Sequence, residues 1–150
     1  MTIKKVAVIG GGTMGSGIAE VAAKSGCDTI VVEIDASLAE QAQKKLEVST
    51  EKAVSRGKMT DEDRSGLLSR ISFTTSFDEL TDRDLVIEAV VESPSVKASV
   101  FKTLDEIVQK DGILASNTSS ISIGDIANNT SRGPQVLGMH FFCLLYTSDA

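Results

Sequence analysis

Short apolar runs and longer amphipathic segments alternate along the chain. The apolar runs are rich in β-branched residues, which is typical of buried strands. They lie at residues 6–9, 29–33, 71–74, 85–90, 112–117 and 136–142. Between most of these runs, apolar residues recur every three or four positions, which predicts helices. The alternation predicts an α/β fold with a doubly wound, mostly parallel sheet and helices on both of its faces.

A glycine-rich turn joins the first predicted strand to the first predicted helix. Gly10, Gly12 and Gly15 form a G-x-G-x-x-G pattern directly after the first apolar run. In a dinucleotide site, Gly10 allows the tight turn, Gly12 leaves room for a pyrophosphate, and Gly15 lets the helix pack close to the strand. The helix then presents unpaired N–H groups and its positive dipole end to the phosphates. A structural glycine turn is the alternative, and the flanking strand and helix favour the dinucleotide site.

An acidic residue follows at the spacing that a dinucleotide site requires. Glu33 ends the second predicted strand, roughly 20 residues after the glycines. A carboxylate there accepts hydrogen bonds from the ribose hydroxyls and repels a 2′-phosphate, which favours NAD over NADP. Asp35 is the alternative ligand, but its position beyond the strand is typical of a helix N-cap. We therefore predict that Glu33 binds the ribose.

Two helices follow the second strand where a minimal crossover has one. A long helix is predicted over residues 36–56, and Gly57 ends it. Thr60 then precedes three acidic residues and begins a short helix through Leu68. This helical-hairpin insertion is either a substrate-binding surface or an amphipathic pair with a solvated outer face.

Polar residues mark the carboxyl ends of the later strands. Glu92 follows the fourth strand, the hydroxyl-rich segment 116–120 follows the fifth, and His140 lies near the end of the sixth. Ligands of such sheets bind at the carboxyl edge, so these residues are site candidates. A turn or cap cluster is the alternative for segment 116–120, and a packed core position is the alternative for His140. Lys97 lies in the first turn of a predicted helix, where a cation is unfavourable, which predicts either a nearby anion or an exposed position.

The composition narrows the class of function. The 150 residues are 41% hydrophobic and 24% charged, as expected for one globular domain. The net charge of −6 and the lack of a basic run argue against a nucleic-acid partner, and no apolar run is long enough to span a membrane. Cys27 and Cys143 have no metal-binding spacing, so we expect no metal; a disulfide between them stays open. We expect no secretory signal and a cytoplasmic protein with reduced thiols.

Four segments, in this order along the chain, resemble the 3-hydroxyacyl-CoA dehydrogenase family. They are Ile9–Ala19, Asp84–Glu92, Ala115–Ser120 and Gly138–Phe142. Within the family the chain most resembles bacterial 3-hydroxybutyryl-CoA dehydrogenases, over residues 3–142. The resemblance implies a Rossmann-type domain with NAD as its cofactor. It also implies NAD-linked oxidation of a 3-hydroxyacyl-CoA substrate to the 3-ketoacyl-CoA, or the reverse reaction.

The resemblance also implies roles for individual residues. His140 is the general base that takes the proton of the C3 hydroxyl, and Ser119 hydrogen-bonds both substrate and cofactor. Ser49 and Arg56 on the helical hairpin face the CoA, with Arg56 as a phosphate ligand. The predicted cofactor-binding residues are Gly10, Gly12, Thr13, Met14, Gly15, Glu33, Glu92, Lys97, Asn117 and Ser119.

The sequence departs from the family pattern after Phe142. The family continues with Asn-Pro-x-Pro and, further on, a glutamate that orients the histidine, whereas residues 143–150 read CLLYTSDA. We expect an NAD-binding domain over 1–142, a tail foreign to the family over 143–150, and no C-terminal helical domain, through which the full-length parent would form a homo-oligomer. By analogy with catalytic triads, a histidine without its carboxylate loses orders of magnitude in rate. We therefore expect NAD binding with impaired catalysis.

Two further functions stay open from the sequence alone. A β-hydroxyacid or 6-phosphogluconate-type dehydrogenase shares the Gly-x-Gly-x-Met-Gly opening, although segments 116–120 and 139–142 argue against it. A non-catalytic NAD-binding module would keep the fold without the chemistry.

Overall fold

A computed structural model of the protein describes residues 2–141, which form one six-stranded sheet with helices on both faces. The strands are β1 (Lys5–Ile9), β2 (Asp28–Val32), β3 (Ile71–Thr74), β4 (Leu85–Glu88), β5 (Ile113–Ser116) and β6 (Val136–Gly138). The α-helices are α1 (Thr13–Lys24), α2 (Ala36–Ser55), α3 (Asp61–Ser69), α4 (Pro94–Ile107) and α5 (Ile123–Ala127). Short 3₁₀ helices lie at Phe77–Leu80 and Gly133–Gln135.

The strand order is β3-β2-β1-β4-β5-β6, and each neighbouring pair is parallel. The α/β doubly wound prediction is confirmed, and the sheet is parallel throughout rather than mostly parallel. The order reverses between β1 and β4, because the chain first builds outward through β2 and β3 and then returns to the other side of β1. The carboxyl ends of all six strands therefore lie at one edge, and a crevice forms where the order reverses.

Alternate residues of the central strands pack against different helices. On β1, Ala7 and Ile9 belong to the cluster that contains Phe101 and Leu104 of α4. Val6 and Val8 belong to the opposite cluster, which contains Ile18 of α1. Because side chains of a strand alternate between its faces, this division buries both faces of the sheet. On β4 and β5 the polar residues Glu88 and Ser116 are the last residue of each strand, at the carboxyl edge where ligands of such sheets bind.

The helical hairpin after β2 is present as predicted. Asp35 caps α2 by accepting a hydrogen bond from the Leu38 N–H at 2.8 Å, and Thr60 caps α3 through the Asp63 N–H at 3.0 Å. Gly57 ends α2 with a φ of +71°, a conformation that favours glycine. A third buried cluster joins the hairpin to α1: Ala23, Leu46, Ala53, Met59 and Leu67. The hairpin is therefore packed on one side, which is compatible with both of its predicted roles.

Several strands end earlier than predicted. β4 ends at Glu88 rather than at residue 90, because the Glu88 carboxylate accepts the Val90 N–H and turns the chain out of the ladder. β6 ends at Gly138, since the Phe141 N–H binds the Asn117 side chain instead of a strand carbonyl. Likewise, β2 ends before Glu33. The predicted end of the sixth strand at Phe142, and residues 143–150, lie outside the described residues.

No helix within residues 2–141 is both long enough and apolar enough to cross a membrane.

Candidate functional site

The glycine-rich turn lies between β1 and α1, and its three glycines differ in what surrounds them. A Cβ on Gly10, whose φ is +99°, would lie 2.7 Å from the Ala89 carbonyl oxygen, and one on Gly15 would lie 1.8 Å from the Gly10 oxygen. Packing therefore requires these two glycines. At Gly12, no atom of the described residues beyond the neighbouring backbone lies within 4 Å of such a Cβ. The open space beside Gly12 suits close approach of a dinucleotide pyrophosphate.

Gly11 links this turn to the end of β2. Its N–H donates a short hydrogen bond to Oε1 of Glu33. A Cβ on Gly11 would lie 2.6 Å from the Cβ of Ala42 on α2, so a larger residue does not fit. No role for Gly11 was predicted from the sequence, because the close approach of α2 is a tertiary contact.

Glu33 and Asp35 have the separate positions that the sequence predicted. Asp35 is the N-cap of α2, whereas Glu33 is half-buried directly beyond β2, beside the glycine-rich turn. A carboxylate in this position faces the crevice at the point where a dinucleotide ribose lies in folds of this kind. A contact between Glu33 and a ribose stays a prediction.

The first turn of α1 opens toward the same crevice. The helix begins at Thr13, behind a glycine N-cap that has no side chain to satisfy the first N–H groups. Thr13 is exposed and Met14 is half-buried. This helix end is suited to an anion such as a pyrophosphate.

A buried carboxylate lies at the end of β4, next to β1 and β5. Glu88 is fully buried and accepts hydrogen bonds from three donors. These are the Val90 N–H at 2.7 Å, the Lys97 Nζ at 2.5 Å and the Ser116 hydroxyl at 2.5 Å. Three donors offset the cost of placing a charge in the protein interior. Glu88 was not predicted as a site residue, although a charged residue in an apolar strand was a usable signal.

Lys97 joins Glu88 to Glu92. Its side chain is 1% exposed, and its Nζ lies 2.5 Å from Glu88 Oε2 and 3.4 Å from Glu92 Oε1. The nearby anion that the sequence predicted is therefore present, and the alternative of an exposed position is wrong. Direct contact between Lys97 and NAD stays a prediction.

Glu92 holds the segment that follows β5. Its carboxylate accepts hydrogen bonds from the Thr118 hydroxyl at 2.7 Å and from both the N–H and the hydroxyl of Ser119 at 3.0 Å. The Ser119 backbone N–H, together with the two hydroxyls and the Lys97 ammonium, lowers the pKa of Glu92 to about 2. Glu92 is therefore ionised near neutral pH and fixes the position of Ser119.

His140 lies just beyond β6 at the same edge of the sheet. On one side of it, the Met139 N–H donates to the Ser116 carbonyl at 3.0 Å. On the other side, the Phe141 N–H donates to Oδ1 of Asn117 at 2.9 Å. These two hydrogen bonds hold the exposed His140 beside the end of β5. The Asn117 side-chain oxygen is engaged with the backbone next to His140, and contact of Asn117 with NAD stays a prediction.

Ser49 and Arg56 lie apart from this edge, in a groove of about 530 Å³ between α1 and α2. The groove begins at Thr13 and Ser16 of α1, so it adjoins the glycine-rich turn. Its α2 side is basic: Lys44, Lys45, Lys52 and Arg56. The structure therefore brings the predicted CoA-binding pair into one groove with a residue of the predicted cofactor site.

The fold and this edge define the class of protein. A parallel sheet of order 3-2-1-4-5-6, a glycine-rich turn at the first strand–helix junction and an acid at the end of the second strand are the features of a Rossmann dinucleotide-binding domain.

Comparison with known proteins gives the family. Residues 5–145 match the family described as "3-hydroxyacyl-CoA dehydrogenase, NAD binding domain". A 3-hydroxybutyryl-CoA dehydrogenase of Mycobacterium tuberculosis is 47% identical over 141 residues, which cover 93% of this chain and 49% of that protein. One of Clostridioides difficile is 44% identical over 138 residues, which cover 92% and 49% respectively. The chain belongs to the 3-hydroxyacyl-CoA dehydrogenase family and contains the NAD-binding domain of that family. The prediction of NAD as the cofactor is therefore confirmed.

Solved structures agree with this assignment. The crystal structure of FadB2 of Mycobacterium tuberculosis superposes with a TM-score of 0.94 at 45% identity, covering 97% of this chain and 51% of that one. That of the (S)-3-hydroxybutyryl-CoA dehydrogenase PaaH1 of Ralstonia eutropha gives 0.92 at 38% identity, covering 96% and 51%. The chain spans about half the length of these relatives. The predicted family resemblance is confirmed, against the β-hydroxyacid dehydrogenase alternative.

Proposed function

We propose that the protein carrying this domain oxidises a 3-hydroxyacyl-CoA such as 3-hydroxybutyryl-CoA to the 3-ketoacyl-CoA with NAD, or catalyses the reverse reaction. The observation that carries the proposal is that three sets of predicted site residues lie at the carboxyl edge of the sheet. These are Glu33 with the glycine-rich turn, Glu92 with Ser119, and His140. The names of the relatives support the substrate class.

The residues around the crevice fit NAD. The open space at Gly12 and the first turn of α1 would receive the pyrophosphate, and Glu33 would accept hydrogen bonds from the ribose. A carboxylate at this point repels a 2′-phosphate, which favours NAD over NADP. When bound, NAD supplies the acceptor for a hydride from C3 of the substrate.

His140 would act as the general base. A neutral imidazole takes a proton near neutral pH, here from the C3 hydroxyl of the substrate. The hydrogen bonds of its neighbours Met139 and Phe141 hold the backbone of His140 at the carboxyl end of β6. Glu92 fixes Ser119 beside the same edge, where the Ser119 hydroxyl would bind substrate and cofactor.

The groove between α1 and α2 would hold the CoA. Three lysines of α2 and its C-cap residue Arg56 complement the phosphates of CoA, and the Arg56 guanidinium can bind a phosphate through two N–H groups. Ser49 lies in the same groove. Because the groove begins at Thr13, substrate and cofactor would approach each other near the glycine-rich turn.

Assays of two proteins test the proposal. The first is the 150-residue chain, and the second joins residues 1–141 to the second half of the 47% identical Mycobacterium tuberculosis relative. We expect oxidation of NADH with acetoacetyl-CoA by the joined protein, and little activity by the 150-residue chain alone. In the joined protein, His140→Gln should lower the rate by about 10²–10⁴-fold and leave NAD affinity unchanged. A joined protein that binds NAD but is inactive would favour the non-catalytic module.

Two statements about the whole protein belong to this proposal. We propose a homo-oligomer that forms through the half absent from the 150 residues, and a cytoplasmic location. Sedimentation of the joined protein tests the first, and fluorescence microscopy of a tagged copy tests the second.

A further inference from the structure

A buried carboxylate lies at the floor of the groove between α1 and α2. Glu20 of α1 is 4% exposed. Its Oε2 accepts a hydrogen bond from the Ser49 hydroxyl at 3.1 Å, whereas its Oε1 is buried without a hydrogen-bond partner among residues 2–141. A buried carboxylate oxygen without a partner is costly to the folded state. Packing alone therefore does not explain why this residue lines the groove.

The charges around Glu20 favour an anionic ligand. On the same helix, α1, the positive charge of the Lys24 ammonium interacts electrostatically with Glu20. Across the groove, the charged residues of α2 and its C-cap that line it are all cations: Lys44, Lys45, Lys52 and Arg56. The neighbouring helix α3 contributes no charged residue to this groove. Charged residues of α3 and its flanking turns line a separate cavity: Lys58, Glu62, Asp63 and Arg70. Burial raises the pKa of Glu20, with the Ser49 hydroxyl and the Lys24 ammonium acting in the opposite direction.

Ser49 is half-buried and lines the same groove as Glu20, to which its hydroxyl donates a hydrogen bond. A hydroxyl has one proton to donate. While Glu20 is ionised, Ser49 donates that proton to Glu20 and offers only lone pairs to the groove, which repel phosphate oxygens. When Glu20 is protonated, its O–H can donate to Ser49, and the Ser49 proton can turn to a phosphate oxygen.

We propose that Glu20 is a positioning residue that couples phosphate binding by Ser49 to the uptake of one proton. The inference rests on the proposed function, in which this groove receives the phosphates of CoA. The proton comes from solvent and resides on a carboxyl oxygen of Glu20, and no covalent bond of the ligand changes. A phosphate bound beside this carboxyl group disfavours its ionised form, so ligand and proton each strengthen the binding of the other.

Calorimetric titration of coenzyme A into the 150-residue chain measures this coupling. Titrations in two buffers of different ionisation enthalpy give the number of protons taken up per coenzyme A. We expect net uptake, and an affinity that rises by up to about tenfold per pH unit as the pH falls. Glu20→Gln gives Ser49 a permanent amide donor. This variant should retain affinity and lose the part of the pH dependence due to Glu20, whereas Ser49→Ala should lose affinity as well.

Controls separate this coupling from other effects. Glu40→Gln removes an equal charge from an exposed position on α2 outside the groove and should behave as the wild type. Protonation of the phosphate itself contributes equally to the proton uptake of the wild type and of Glu20→Gln. The difference between their proton uptakes therefore measures the contribution of Glu20. Dephospho-coenzyme A identifies the group that is bound. If dephospho-coenzyme A binds without proton uptake, the group bound beside Ser49 is the 3′-phosphate. If the proton uptake is retained, the bound group is the diphosphate.

Two results would overturn the inference while leaving the proposed function intact. One is binding of coenzyme A without proton uptake, and the other is unchanged uptake in Glu20→Gln. Failure of the folded chain to bind coenzyme A at any pH would instead contradict the proposed substrate class, and the inference with it.

Discussion

Glu88 and Lys97 form an ion pair inside the carboxyl edge of the sheet, with 2.5 Å between Oε2 and Nζ and at most 1% of either side chain exposed. The pair joins β4 to the first turn of α4 and connects, through Glu92, to the segment that carries Ser119. A buried polar network, in addition to apolar packing, therefore stabilises the edge of the sheet that faces the cofactor crevice.

Removal of the cation from this pair should be strongly destabilising. Lys97→Met leaves the buried Glu88 carboxylate without its charged partner, and we expect a loss of about 3–5 kcal/mol in the free energy of unfolding. Urea denaturation measures the change. Lys102→Met, an exposed position on the same helix, is the control and should stay within about 0.5 kcal/mol of the wild type. Equal stability of the two variants would show that the pair is not important to the fold.

Two glycines of the turn should respond differently to alanine. In Gly15→Ala the new Cβ would lie 1.8 Å from the Gly10 oxygen, so the turn cannot keep its shape and the domain should be severely destabilised. In Gly12→Ala the methyl group projects into open space, so folding should persist while NAD affinity falls by at least about tenfold. Thermal unfolding and NAD titration of both variants test this difference. Unchanged NAD affinity in a folded Gly12→Ala would place the pyrophosphate elsewhere.

The two acids after β2 should separate cofactor binding from stability. Glu33→Gln removes a charged acceptor from the crevice, and we expect NAD affinity to fall by about tenfold or more. Asp35→Asn changes only the N-cap of α2, at 2.8 Å from the Leu38 N–H, and should leave NAD affinity unchanged. Calorimetric titration compares the two variants. If the loss of affinity occurs in Asp35→Asn instead, the assignment of Glu33 is wrong.

Glu92 should contribute stability that is lost in acid. Its pKa of about 2 in the folded protein lies below the ordinary value of 4.5, because Ser119, Thr118 and Lys97 favour the ionised form. Its contribution is therefore fully present above pH 4.5 and falls as the pH drops through 2. Urea denaturation across this range should show that the stability gap between wild type and Glu92→Gln narrows with falling pH. A gap that does not change with pH would contradict this origin of the stabilisation.

The elements that repeat a local pattern could be predicted from the sequence. Each strand is a short apolar run, and every α-helix except α1 begins behind a residue whose side chain caps it. The order and type of these elements therefore follow from neighbours along the chain. The glycine-rich turn and Glu33 follow from spacing within one βαβ unit. Strand ends were less accurate, because side chains such as Glu88 and Asn117 capture the N–H groups that would extend β4 and β6.

The contacts between distant segments could not be predicted in the same way. Glu88 meets Ser116 only because β4 and β5 pair in that register. Gly11 is required only because α2 brings Ala42 against the turn. Glu20 occupies an apolar-looking helix, and its burial depends on how α2 packs across α1. Lys97 was a partial exception, since its unfavourable place in a helix first turn predicted either a nearby anion or an exposed position.

The central claim is that the crevice beside Gly12 and Glu33 is an NAD site. Calorimetric titration of the 150-residue chain with NAD and, separately, with NADP tests this claim most directly. We expect one NAD per chain, with NADP bound at least about tenfold more weakly because Glu33 repels its 2′-phosphate. A folded chain that binds neither nucleotide, or that binds both equally well, would contradict the account.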